Sequence, residues 1–452
     1  MTTGPWIERL EAIAVARELV AVGGRRDAAG VTDGRVHVMP ISMLDGKGAA
    51  WSLPAGTAIG ALAFAGDELL LSGGEDGRVT AWDVTGQRKL GELSLGAAVR
   101  AIAVDLAVAR GESGVAAVGT LDGALHVVKL AFRDGSVTLA SEGRHALSDG
   151  PITAVAWDPA GVWVVGAADG QLRVIGETVR AVSPGGDGGI RAVACLGDGR
   201  AAIGCGDGSL RLCFIVGDVE AVDRSGDHGH QGAVRGLALG PVVVDDAGRE
   251  APRRLFTVGE DGALKAWFVD GNRRPKTIEV GIGPVTALVL APGPLAKIEK
   301  AAGRLWMTST RRKVAALALG GDIDPVGDPT IIGYALDGHE AVLRDGKAAV
   351  KDKLVVVSQL TELAEDEARV LLDYALANGP PEVRVAATQA MVRSKRRASR
   401  PALRAALEAT SPSFAVPRST RCATSRPISR SPRSAPASRR DTTTSGPARS
   451  RR

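Results

Sequence analysis

The chain has 452 residues, enough for a large core and more than one folding unit; 45% of them are hydrophobic and only 3% aromatic. Its net charge of +5 is unevenly placed: residues 413–452 hold ten Arg and one acid, Asp441, so this stretch carries +9 and the other 412 residues sum to −4. No run of about 18 apolar residues occurs, and Met1 to Pro5 is not a basic segment leading into an apolar one; neither a spanning helix nor a secretory leader is expected, and the chain reads as cytoplasmic without a membrane partner.

Taken in chain order, the first apolar runs are Ala12–Val15 and Leu19–Val22, ahead of an Asp33-Gly34 turn. The same arrangement returns at Asp76-Gly77, Asp122-Gly123, Asp169-Gly170, Asp207-Gly208 and Asp261-Gly262, with successive turns 38 to 54 residues apart. Glycine supplies the positive φ that a two-residue hairpin turn requires. Each later unit opens on a short run of small and β-branched residues: Ala58–Phe64, Val99–Val104, Ile152–Trp157, Ile190–Cys195, Val234–Leu239 and Val285–Leu290. A second apolar stretch leads into the turn, and alternation resumes beyond it, as in Arg78-Val79-Thr80-Ala81-Trp82.

Four short strands at this period predict a propeller blade, which cannot bury both faces alone and must stack with others in a ring. A seventh, degenerate unit follows, with Val285–Leu290, Arg304–Thr308, a turn at Arg311-Arg312-Lys313, and Val314–Leu319. The expectation is a mainly β chain with a seven-bladed β-propeller over residues 1–325. Either a leading strand near Trp6–Leu10 or a strand at Thr330–Tyr334 would close the ring.

Beyond Gly338 the hydrophobic period changes from two to about 3.6, predicting helices over Lys353–Leu363 and Glu365–Ala377. Asn378-Gly379 stops the second, and Pro380-Pro381 opens another. A further helix is expected at Ala402–Leu407. After Ser411 the chain becomes rich in Arg, Ser, Pro and Thr without apolar periodicity, so residues 412–452 are expected to be disordered. The switch falls in mid-pattern, and an out-of-frame or truncated ending of a longer solenoid protein would explain it.

The sharpest side-chain constellation lies in the sixth unit. His230 precedes the inner strand, Thr257 ends the second strand, Asp261 sits in the turn and Trp267 follows six residues later. On these residues the chain resembles the WD40 family, whose best-formed blades link a His, a Ser or Thr, an Asp and a Trp. The resemblance implies that Asp261 accepts from His230, His230 from Thr257, and Thr257 from the Trp267 indole. The second unit keeps Ser72, Asp76 and Trp82 but has no His in its preceding loop. Units three to five keep the turn residues Asp122, Asp169 and Asp207, yet carry Val128, Ile175 and Cys213 in place of Trp, and His145 is read as lying in the loop before Ile152. Residues 338–411 resemble HEAT repeats, with Pro381–Ala387 matching a second repeat helix.

A hydroxyl, an imidazole and a carboxylate also make a hydrolytic triad, but the Trp consumes the hydroxyl that would attack, and no G-x-S-x-G elbow surrounds Thr257. The network is read as structural, with no catalytic residue. Asp227-His228-Gly229-His230 offers too few ligands for a metal once His230 is committed. Cys195, Cys205, Cys213 and Cys422 lack ligand-like spacing and read as buried thiols. Gly204-Cys205-Gly206-Asp207-Gly208 leads into a strand and is a hairpin, not a phosphate loop. No cofactor is called for.

Both ordered regions read as surfaces. The resemblance implies a non-enzymatic scaffold for proteins or peptides, docked on the face formed by the loops around Thr57, Ala97, Gly150, Gly188-Gly189, Gln231 and Gly283. The alternative is nucleic-acid or polyanion association through Arg311-Arg312-Lys313, Arg393 to Arg397 and the basic tail. The acidic body and the lack of a tail aromatic after Phe414 weigh against it.

Overall fold

The computed structural model describes residues 2–4, 9–25, 34–45, 47–105, 113–133, 136–216, 221–242, 250, 252–271, 273–292, 303–334, 337–362 and 366–393. Asp33, Trp6, Cys422, the expected helix at Ala402–Leu407 and residues 412–452 lie outside them.

Seven antiparallel sheets succeed one another along the chain, each built from four strands consecutive in sequence. The expected inner strands of the second to seventh units are found with the same first residue or one later, whereas that of the first begins at Arg9, three residues before the expected Ala12. Blade 1 comprises Arg9–Val15, Leu19–Arg25, Arg35–Pro40 and Trp51–Pro54, and blade 2 comprises Ile59–Phe64, Leu69–Gly74, Arg78–Asp83 and Arg88–Ser94. The inner strands of blades 3 to 6 are Val99–Val104, Ile152–Asp158, Ile190–Cys195 and Val234–Leu239. Blade 7 comprises Val285–Pro292, Gly303–Ser309, Lys313–Leu319 and Pro325–Tyr334.

Ring closure uses both sequence alternatives in modified form. The strand ending at Tyr334 is the fourth of blade 7, and Thr2–Gly4 adds to its outer edge as a parallel fifth, pairing Thr2 with Ile332 and Gly4 with Tyr334. Arg9 and Leu10 instead begin the inner strand of blade 1. The chain therefore starts on the last blade and crosses the seam into the first.

The core is divided into layers between neighbouring blades, because each sheet buries both faces. One layer joins Leu71, Val79 and Ala81 of blade 2 to Val99, Val118 and Val128 of blade 3. The seam layer joins Leu10, Val20 and Val22 of blade 1 to the fully buried Trp306, Val314 and Ile332 of blade 7. A recurrent glycine sets the spacing. Gly23, Gly73, Gly119, Gly166 and Gly204 sit on the second strands of blades 1 to 5, and each receives the β-branched residue that opens the next blade's inner strand. A Cβ on Gly23 would lie 2.8 Å from Ile59 Cγ2, and one on Gly204 would lie 2.5 Å from Val234 Cγ1. In blade 6 this position is Val258, and the missing space is supplied from the inner strand by Gly236, whose Cβ would lie 2.7 Å from Leu288 Cβ.

Among the described residues four helices follow: α1 Asp337–Arg344, α2 Val350–Glu362, α3 Asp366–Asn378 and α4 Pro381–Arg393. They share a separate core around Leu360, Leu372, Val383 and Ala387. Pro381 opens α4, where its missing N–H costs nothing, and the Gly379 N–H donates to Ala375 O at 2.9 Å to finish α3. The first helix is an addition to the sequence reading; its eight residues begin one residue before the expected change of period. Among the described residues no helix is long and apolar enough to cross a membrane.

Candidate functional site

Two kinds of site arise from this frame: polar clusters inside the blades, and the mouth of the central channel.

In blade 6 the four residues singled out by sequence meet. The His230 Nδ1–H donates to Asp261 Oδ1 at 2.9 Å, and Thr257 Oγ1 donates to His230 Nε2 at 2.7 Å. Trp267 Nε1 donates to Thr257 Oγ1 at 2.9 Å, so that hydroxyl both donates and accepts within the cluster. Asp261 also accepts from the backbone N–H of Gln231 at 3.0 Å and of Ala263 at 3.2 Å, tying the turn to the preceding loop. The imidazole is fully enclosed, and burial pulls its pKa below the usual value against the opposing pull of Asp261. Burial pushes the Asp261 carboxyl up, but the bonds from His230 and the two backbone N–H groups outweigh it and hold the acid below its usual range. A neutral histidine with its proton on Nδ1 fits both directions.

Blade 2 holds half of this arrangement. Trp82 Nε1 donates to Ser72 Oγ at 2.8 Å, while Asp76 accepts from the Arg78 backbone N–H at 3.1 Å. No imidazole joins them. The Thr57 methyl approaches Gly74 much as His230 approaches Gly259, and a cavity of about 110 Å³ remains against Ser72, Asp76 and Trp82.

The turn acids of blades 3 to 5 find other partners. Asp122 accepts from Thr120 Oγ1 at 2.6 Å and from Arg144 at 3.0 Å. Asp169 accepts from Ser148 Oγ at 2.9 Å and from the buried Arg173 at 2.5 Å. Asp207 accepts from Ser209 Oγ at 2.7 Å and from the Asp187 backbone N–H at 2.8 Å. Ser148 lies four residues before Ile152, as His230 lies before Val234, so it ties loop to turn in place of the imidazole. His145 is not in that loop: it stands on the outer strand of blade 3, Ser136–Ala146, paired with Leu125. The long hairpin of blade 3 carries regular pairing past the point where the sequence suggests a loop. Val128, Ile175 and Cys213 occupy the register that Trp82 and Trp267 occupy in their blades.

In blade 7, Arg312 takes the place of the turn glycine with φ of 60°, and its side chain is buried. Cys195, Cys205 and Cys213 form no disulfide, and burial pushes the thiols of Cys195 and Cys213 up to about 12 and about 11. They are inert packing groups. Among the described residues no group of three or more His, Cys, Asp or Glu could hold a metal.

The sequence reading named the face formed by the loops that enter the inner strands, but not the residues of the channel mouth. Near the start of each inner strand the pairing register slips, at the third residue in blade 1 and at the second in the others, as between Ile59 and Ala61, and this places one residue per blade at the mouth. Those residues are Glu11, Gly60, Arg100 and Thr153 in blades 1 to 4, then Arg191, Arg235 and Thr286. Beneath them lies a ring of small residues, Ala12, Ala61, Ala101, Ala154, Ala192, Gly236 and Ala287, bounding a cavity of about 890 Å³. The sequence signal for this ring was present: a small residue two places after the β-branched opening of nearly every inner strand.

Arg100 pairs with Glu75 at 3.3 Å, Arg25 also pairs with Glu75, and Arg235 Nε donates to Glu260 Oε1 at 2.9 Å. Burial raises the Glu11 carboxyl above its usual range, opposed by Arg25 and reinforced by Glu75. The mouth hydroxyls are occupied: Thr153 Oγ1 lies 2.5 Å from Ile190 O, and Thr286 Oγ1 donates to Leu10 O at 2.8 Å across the seam.

The sequence profile described as WD domain, G-beta repeat matches residues 138–175, from the outer strand of blade 3 through the third strand of blade 4. The chain carries a WD40 repeat. No curated protein matches the sequence. Among solved structures, Sqt1 of Chaetomium thermophilum bound to the N-terminus of the ribosomal protein L10 is similar at 20% identity and a TM-score of 0.54, covering 75% of this chain and 91% of that one. Another structure of Sqt1 from the same organism gives 19% identity and 0.52, covering 73% and 88%. The WD40 beta propeller domain of Doa1 gives 16% identity and 0.48, covering 67% and 90%. The Sqt1 likeness is one of fold. The matched WD40 repeat is not the blade with the complete polar tetrad, which shows how far these blades have diverged from one another.

Proposed function

We propose that the propeller is a docking platform for a partner protein or peptide, engaged at the channel mouth. The observation that carries this reading is the charged rim over a cavity of about 890 Å³, where the rim hydroxyls of Thr153 and Thr286 are already committed to backbone carbonyls. A concave site with a few convergent polar groups suits recognition, and nothing in it is poised as a nucleophile beside a base. Sqt1, a propeller of the same fold, holds a peptide segment of its partner, which supports the reading by analogy of fold. The helices, with Val355, Val370 and Val392 exposed, would add a second contact surface of the HEAT type.

The test is an Ala101→Trp substitution, which fills the mouth from the small-residue ring. Affinity purification of the full chain from native lysate should recover a discrete partner that the plugged variant loses while keeping its melting temperature. Equal recovery by both proteins would place docking elsewhere. The ten-arginine tail supports a second reading, association with nucleic acid. That reading expects heparin retention to disappear when residues 413–452 are deleted.

A further inference from the structure

We infer that the channel mouth is a receptor for an acidic peptide segment that also carries an aliphatic side chain; this rests on the docking reading and specifies the partner's chemistry. The first support is charge. Among the described residues, Arg9, Arg25, Arg100, Arg191 and Arg235 converge at or beside the mouth against Glu11, Glu75 and Glu260. The excess is positive in a body whose first 412 residues sum to −4, so it is concentrated where the cavity opens. A cleft walled by low-dielectric aliphatic groups focuses such a field outward and draws in carboxylates.

The second support is incomplete hydrogen bonding. Arg191 Nε is buried with no hydrogen-bond partner among the described residues, although Arg235 on the next blade and Arg100 two blades away each hold a glutamate. A guanidinium with an open donor is matched by a carboxylate, which can accept two parallel bonds. The third support is the floor. Ala61, Ala101, Ala154 and Ala192 leave room below the charged ring, and Leu62, Ile102 and Val193 line it with aliphatic surface. A side chain such as Leu, flanked by Asp or Glu, would satisfy both levels at once. Among the described residues no aromatic side chain lines the cavity, whereas a site for single-stranded nucleic acid stacks bases on such side chains.

The test uses the full chain and a fluorescein-labelled peptide of alternating glutamate and leucine, read by anisotropy, with a lysine–leucine peptide and an oligothymidylate as comparisons. The acidic peptide should bind and weaken as salt is raised, and Arg191→Glu should weaken it at least about tenfold, with Arg191→Gln intermediate. Both variants must keep the far-UV spectrum and melting temperature of the parent; if Arg191→Glu does not, Arg191→Gln alone decides, and an affinity equal to the parent's overturns the inference. The inference also falls if the lysine peptide binds as well as the acidic one. It falls if the oligothymidylate binds tighter and is equally sensitive to Arg191→Glu, since the receptor would then be for nucleic acid. Binding indifferent to residue 191 would assign the acidic peptide to the basic tail instead. If the acidic peptide fails while Ala101→Trp still strips the native partner, the docking reading survives without this chemistry; loss of both outcomes removes both.

Discussion

His230 shows how one buried side chain can fix a loop, a strand and a turn together. Its ring joins Asp261 to Thr257, and its removal leaves a carboxylate and a hydroxyl buried with one partner fewer. His230→Ala should therefore cost about 1–3 kcal/mol at neutral pH, read from the urea midpoint. The pH dependence follows from the direction of the shift. An imidazole held below its ordinary value of about 6.5 contributes stability that is complete above that value and is lost as pH falls through it towards the folded pKa. The gap between parent and His230→Ala should then be largest above about pH 7 and shrink as pH falls below about 6.5. The lowered Asp261 carboxyl adds its own loss only further down, in the carboxylate range. A gap that widened on acidification would mean a protonated ring paired with Asp261, and the tautomer drawn above would be wrong. This cluster was legible because four uncommon residue types fall at fixed spacing. The partners of Asp122 and Asp169 were not: Arg144 reaches the turn from the outer strand of its blade at no characteristic distance along the chain, and Ser148, although it holds the place of His230, is not the imidazole that the pattern looks for.

At the scale of the element, a blade is held less by its own hydrogen bonds than by how closely the next blade approaches. Gly23 is a socket for Ile59, and adding a Cβ there forces backbone or side chain to move, since Ile59 Cβ would lie only 3.0 Å away. Gly23→Ala should destabilise by about 1–3 kcal/mol through overpacking. Ile59→Ala, a large-to-small change in the same layer, should cost about 2–5 kcal/mol. Because the two share one contact, the double variant should cost less than the sum of the singles, and a double-mutant cycle by chemical denaturation reads that coupling. Strict additivity would show that the socket is not what spaces blades 1 and 2. Strand positions were readable from period-two alternation, and turns from Asp-Gly. Most sockets passed unnoticed because a glycine three residues before the turn aspartate looks like part of the turn. The true partner of each socket lies 24 to 36 residues on, in the following blade, a relation of tertiary packing that local pattern cannot show.

At the scale of the whole molecule, seven blades were countable from sequence because six carry the turn and the seventh keeps its strands around Arg312, whose left-handed backbone replaces the glycine. What sequence left open was the seam, since ring closure depends on which edge the first strand finds, and three residues carry little pattern. Two devices close it. Leu10 packs with Trp306 and Ile332 in the seam layer, and Thr2–Gly4 continues the sheet of blade 7 before the chain enters blade 1. The strap adds a few backbone hydrogen bonds at the outer edge, each of modest net value, whereas the packed layer excludes water along the full height of the blades. Deleting residues 1–4 should therefore lower stability by about 1–3 kcal/mol without dissolving the ring. For a propeller of this size the melting temperature should fall by several degrees at most while the transition stays cooperative. Hydrogen exchange should quicken first in Pro325–Tyr334, which loses its parallel neighbour, and little in Val285–Pro292 at the channel. A transition that instead split in two, with exchange spreading through the inner strands of blades 1 and 7, would mean that the three-residue strap, and not the Leu10–Trp306 layer, holds the circle shut.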